Sequence, residues 1–258
     1  MRAAAVLEPA IRPHSGRLAA AVLLNTALLI LWLGNYTDID LWLADAAFDA
    51  ASRSFPMQHA WIAEKFNHVI LKAALSILGG AFVAFCIWDW FRPSPRWDGS
   101  RRVALRVVAL SAVLVPTAMS VLKHFSQSHC PWDLQRYGGT EPYIRLLEVF
   151  PAGLSAGHCM PAGHASSALW LVALSAFWWP QRPRMAAAVA GAMLLFGGMV
   201  GWMQQLRGAH FLTHTLWSAW IACAIVYLTY KFVKGLANPM PFSYSSVPAA
   251  TQMQIAKR

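Results

Sequence analysis

Six apolar runs divide this chain, at roughly 18–34, 70–91, 103–122, 163–179, 185–206 and 212–231. A helix needs about 20 largely apolar residues to cross the hydrocarbon core of a bilayer. All six meet or nearly meet that length. The fourth is short, and its Gly163-His164 start places it near the membrane surface. Hydrocarbon offers no partners for backbone N–H and C=O groups, so spanning runs fold as helices that satisfy their own hydrogen bonds. The expected fold is all-α, a polytopic bundle of six transmembrane helices forming one domain over residues 1–237. Residues 238–258 are polar and contain Pro and Ser, and are expected to form a disordered tail.

Composition agrees. Only 12% of the 258 residues are charged, about half the share in soluble chains, and no length remains for a second sizeable domain. The formal net charge of +10 does not indicate a nucleic-acid partner, because the basic residues gather in loops between the apolar runs.

Those loops set the orientation. Arg2, Arg12 and Arg17, the five arginines from Arg92 to Arg106, Arg182 and Arg184, and Lys231, Lys234, Lys257 and Arg258 fall on one side. The other side holds fewer cations but most of the acids, among them Asp38, Asp40, Asp45, Asp49, Glu64, Asp133, Glu141 and Glu148. Both termini are therefore expected in the cytoplasm of a bacterial inner membrane, with the opposite loops periplasmic. The first run is read as a span and not a cleaved leader, since no small-x-small cleavage site precedes Asn35.

Within the first external segment, 35–69, Asp38, Asp45 and Asp49 fall near one helical face with apolar residues opposite, which suggests an interfacial helix. The longest external loop, 123–162, has the length of a functional loop. Gly197 and Gly201 form a small-xxx-small pair that admits a neighbouring helix.

Three short segments border the spans on the external side. The first is Lys123, followed after six residues by Cys130-Pro131-Trp132-Asp133, with Arg136 close behind. Lysine supplies a cation for phosphate, and an arginine fork can grip two phosphate oxygens. The second is Pro161-Ala162-Gly163-His164. Gly163 lets backbone approach an anion, and His164 at a helix start is a candidate acid or base. The third is Arg207-Gly208-Ala209-His210, with His214 four residues on. If both lie on one helix, His210 and His214 share a face. His210 could attack phosphorus if one ring nitrogen is free and the other held by a hydrogen bond, and His214 could hold it or bind substrate.

In that order the segments resemble the type 2 phosphatidic acid phosphatase superfamily, marked by Lys-x6-Arg-Pro, then Pro-Ser-Gly-His, then Arg-x5-His-x3-Asp. Lys123 and Pro131 match the first motif. Pro161, Gly163 and His164 match the second, and His210 matches the histidine of the third. The resemblance covers spans two to six. It implies a phospho-histidine on His210, with His164 protonating the leaving oxygen. The chain departs from the pattern at Cys130 and Gln204 in place of arginines, Ala162 in place of serine and His214 in place of aspartate. Arg136 and Arg207 are candidate substitutes for the arginines, and Asp133 or His214 for the carboxylate.

The expected activity is hydrolysis of a lipid phosphate or diphosphate, with His210 and His164 catalytic. Lys123, Arg136, Arg207, Gly163, Asp133 and His214 are expected to bind substrate. The bilayer and a phosphorylated membrane lipid are the expected partners, and no cofactor or metal is called for. The alternatives are lipid-to-lipid phosphotransfer and a non-catalytic lipid-phosphate binder or transporter. A zinc hydrolase built on His210 and His214 lacks the glutamate of an HExxH pair. Cys130 and Cys159 each border a motif in an oxidising compartment, where a disulfide is expected. Two free thiols or a metal site are the alternatives.

Overall fold

The computed structural model describes residues 13–237, and every regular element among them is helical. The helices are α1 (Pro13–Tyr36), α2 (Ile39–Ala47), α3 (Lys72–Phe91), α4 (Gly99–His124), α5 (Gly163–Leu169), α6 (Pro183–Leu206) and α7 (Leu212–Ala237). A π-helical stretch, Ile62–Leu71, runs directly into α3, and a 3-10 stretch, Trp170–Phe177, prolongs α5. The tail expected to be disordered lies outside the described residues.

Among the described residues five helices, not six, are long and apolar enough to cross a membrane: Gly16–Tyr36, Ile62–Phe91, Gly99–His124, Pro183–Leu206 and Leu212–Ala237. The fourth apolar run forms the shorter Gly163–Phe177. Its seven α-helical and eight 3-10 residues, at about 1.5 and 2.0 Å each, rise about 26 Å. That is just short of the ~30 Å hydrocarbon core.

This short helix is the best protected among the described residues. Ala165, Ala168, Leu169 and Ala173 are wholly buried, with α3, α4, α6 and α7 packed around them. The expected small-residue pair on α6 makes this sheath close. A Cβ on Gly197 would come within 2.4 Å of Leu169, and one on Gly201 within 2.4 Å of Thr215. The outward faces carry bulky apolar side chains, such as Leu24, Ile77, Leu195 and Leu228, each more than half exposed. A surface of that kind suits hydrocarbon better than water.

At one end of the bundle α2 and the 125–162 loop form a lid of polar contacts. Arg145 bonds the carbonyl of Thr37 at 2.6 Å and the carboxylate of Asp38 at 2.5 Å, tying the loop to the α1–α2 corner. Phe48, Phe55 and Tyr137 pack edge-to-face or tilted, with ring centroids 5.2–5.4 Å apart. The surface helix expected here is shorter than its apolar pattern. It stops at Ala47, and Asp49 turns away to bond Ser52. Asp40 is buried, not solvated. Its carboxylate accepts from the Thr213 N–H at 2.9 Å and from the Thr213 hydroxyl, so it caps the first turn of α7 from a different helix.

Candidate active site

His210 owes its place to the way α6 ends. Gly208, with φ of +72°, occupies the left-handed position just past the helix. Its N–H bonds the carbonyl of Gln205, and that of Ala209 bonds Gln204, which together make a Schellman cap. A side chain at Gly208 would also strike the Phe55 ring at 2.4 Å. The Gly208 carbonyl accepts from the Trp132 N–H at 3.0 Å, joining this turn to the 125–162 loop. The chain then runs through His210 before α7 begins at Leu212. His210 is therefore not on a helix with His214, and the shared-face pairing behind the zinc reading does not form.

The loop beside it is closed by a disulfide between Cys130 and Cys159. The two limbs run side by side, with Gly157, His158 and Cys159 N–H groups bonding Gln127, Ser126 and Ser128 carbonyls. Cys159 touches the nucleophile candidate. Its Sγ lies 3.4 Å from His210 Nδ1, and its backbone carbonyl accepts from the imidazole. The ligand atoms of Cys130, Cys159 and His210 fall within 4.8 Å of one another, but bridged sulfurs carry no thiolate to hold a metal. Burial holds the His210 pKa well below the ordinary histidine value, helped by His214, His164 and Lys123 nearby. The ring is thus neutral at neutral pH.

His164 lies in the first turn of α5. That turn docks on α7, with the Ala162 N–H bonding the His214 carbonyl and the Ser218 hydroxyl bonding the Ala162 carbonyl. The His164 and His210 ring centroids are 5.8 Å apart, and those of His210 and His214 5.9 Å. Nδ1 of His164 and of His214 are buried without a partner. Lys123, in the last turn of α4, lies beside Gly163 and within electrostatic reach of His164, His210 and His214. Arg207 is buried, its Nε bonded to the Gln58 carbonyl and its Nη1 to Gln204 Oε1, both at 3.0 Å. Gln204 thus holds Arg207 from the position where the resemblance placed an arginine.

Two expected members are occupied elsewhere. Arg136 puts its fork on Asp45, at 2.8 and 2.6 Å, beside the Tyr137 hydroxyl. A carboxylate thus fills both arms of the Arg136 fork. Asp133 accepts from the Cys130 N–H at 3.1 Å and caps its own turn, so it orients no histidine. Among the described residues no carboxylate bonds to His210.

Sequence reasoning missed Glu64, His68 and Lys72. The His68 ring lies 4.1 Å from that of His164. Lys72, Lys123 and His164 border one cavity of about 750 Å³ between α3, α4 and α5, whose deeper walls include Gly79, Val83, Pro116 and Trp170. The only signal was a four-residue spacing of polar groups where the second apolar run begins.

The family model described as the PAP2 superfamily matches residues 104–237, a stretch that takes in Lys123, His164, Arg207 and His210. No curated protein and no solved structure gives a significant match to the chain.

Proposed function

The chain belongs to the PAP2 superfamily, and on that premise we propose that it is a membrane phosphatase acting on a phosphorylated lipid through a phospho-histidine. Superfamily membership supports phosphatase chemistry. The carrying observation is the convergence of His164, His210, Lys123 and Arg207 from four separate segments at one end of the bundle.

In this reading His210 attacks phosphorus with Nε2 while Nδ1–H is held by the Cys159 carbonyl. A backbone acceptor then does the work of the missing carboxylate, fixing the tautomer that leaves the attacking lone pair free. The P–O ester bond breaks as the N–P bond forms, and His164 gives its proton to the leaving oxygen. Water next attacks phosphorus, His164 takes back a proton, and orthophosphate leaves with His210 restored. Lys123 and Arg207 stabilise the charge on the phosphoryl oxygens throughout. His214 buttresses the turn that carries His164.

The apolar walls of the cavity below Lys72 and Lys123 support a lipid as the substrate. We read the short α5 helix as a sixth crossing within one domain, with both termini cytoplasmic and the histidines at the periplasmic face. The charge alternation along the sequence supports that orientation. The test is release of orthophosphate by the purified protein in detergent across a panel of lipid monophosphates and diphosphates. At least one should be hydrolysed by the wild type and none by His210→Ala. Equal release by both proteins would refute the assignment.

A further inference from the structure

The matched motifs leave this site short of donors to phosphate. Cys130 and Gln204 stand at two arginine positions, and Arg136 is committed to Asp45. The helix that precedes the matched region supplies groups at the gap. Glu64, His68 and Lys72 recur every four residues along the π-helical stretch and its junction with α3, a spacing near one helical turn.

Three observations aim this strip at a ligand. The His68 ring packs on His164 with centroids 4.1 Å apart, yet Nδ1 of each ring is buried without a hydrogen-bond partner. His68 lies within electrostatic reach of Arg207, Lys72, Glu64 and Lys123. Lys72 and Lys123 line one cavity with His164, and neither forms an ion pair among the described residues. Two ammoniums and a guanidinium gather beside the two adjacent imidazoles, and Glu64 is the one carboxylate within electrostatic reach of His68 among the described residues. Such a cluster repels itself when empty, and a dianion seated among its N–H groups relieves that repulsion.

We propose that His68 and Lys72 form a phosphate-binding subsite, with His68 donating from Nδ1 and Lys72 from Nζ to non-bridging phosphate oxygens. The ligand class is a phosphate dianion, either free or as the ester group of a lipid. The subsite rests on the phosphatase reading for what the phosphate is attached to, and not for the binding of phosphate itself. It places two substrate contacts outside residues 104–237, on an element that carries none of the three motifs.

The experiment measures orthophosphate binding calorimetrically on the full chain in detergent, with turnover of a lipid phosphate measured in parallel. His68→Gln and Lys72→Gln should each weaken orthophosphate about tenfold or more, the loss expected for a charge-assisted hydrogen bond. Lys72→Arg should restore most of that affinity. Lys65→Gln, an exposed change on the same stretch, should bind as wild type. Thermal midpoints check folding, and Lys72 is exposed enough that its variants test the subsite even if His68→Gln does not fold. Wild-type affinity in His68→Gln and Lys72→Gln, with turnover intact in the wild type, would overturn the subsite and leave the phosphatase reading standing. Phosphate binding that fails in those two variants, without turnover of any lipid phosphate by the wild type, would sustain the subsite and overturn the phosphatase reading.

Discussion

His210 is a nucleophile candidate because of where it is buried. An imidazole out of water resists protonation, so His210 keeps its lone pair at pH values where an exposed histidine is half charged. The same burial has a cost in stability. The unfolded chain takes up a proton at His210 near pH 6.5 while the folded chain does not, and stability therefore falls as pH drops below about 6.5. One such group contributes a slope of up to about 1.4 kcal/mol per pH unit. Unfolding of the detergent-solubilised protein should steepen accordingly between about pH 6.5 and 5, and His210→Gln should flatten the curve. Parallel curves for the two proteins would show that His210 titrates normally.

At the scale of elements, the site is a joint between two turns that the disulfide locks together. Cys130 ties the loop after Lys123 to Cys159, and Cys159 meets His210 through its sulfur and its carbonyl. Closing a loop with 29 residues of separation is worth about 3–4 kcal/mol in the chain-entropy model. Cys130→Ser should lose stability of that order and most turnover, and denatured, unreduced wild type should titrate two thiols, at Cys86 and Cys223. Four titratable thiols would contradict the bridge. Much of this joint was legible in the sequence, since Lys123, Gly163-His164 and Gly208-Ala209-His210 all sit at the ends of apolar runs, where chain reversals bring them together. The ion pair of Arg136 was not legible, because its partner, Asp45, lies 91 residues away, a pairing that no local spacing encodes. His68 and Lys72 were overlooked for the same reason. Their roles depend on how α3 packs against α5, and periodicity reports only which face of a helix is apolar.

The whole molecule follows from the apolar runs more directly. Five of them became long helices, and the fourth became the short helix that the others sheathe. Its shortness was legible in the apolar run, but its 3-10 half was not, because a 3-10 continuation looks the same as an α-helix in composition. The proposed orientation puts the histidines at the periplasmic face. In a chain lacking Cys86 and Cys223, Lys65→Cys should react with a membrane-impermeant maleimide on intact cells, whereas Arg184→Cys should react only after permeabilisation. The reverse pattern would invert the topology. The proposed intermediate is a covalent phosphoryl group on one buried histidine at that face, and the most direct measurement is trapping it. Purified protein quenched during turnover of a lipid carrying ³²P in its phosphate should retain acid-labile, alkali-stable label that maps to His210 and is missing from His210→Ala. Label that persists on His210→Ala, or an active wild type that never retains label under rapid quench, would contradict it.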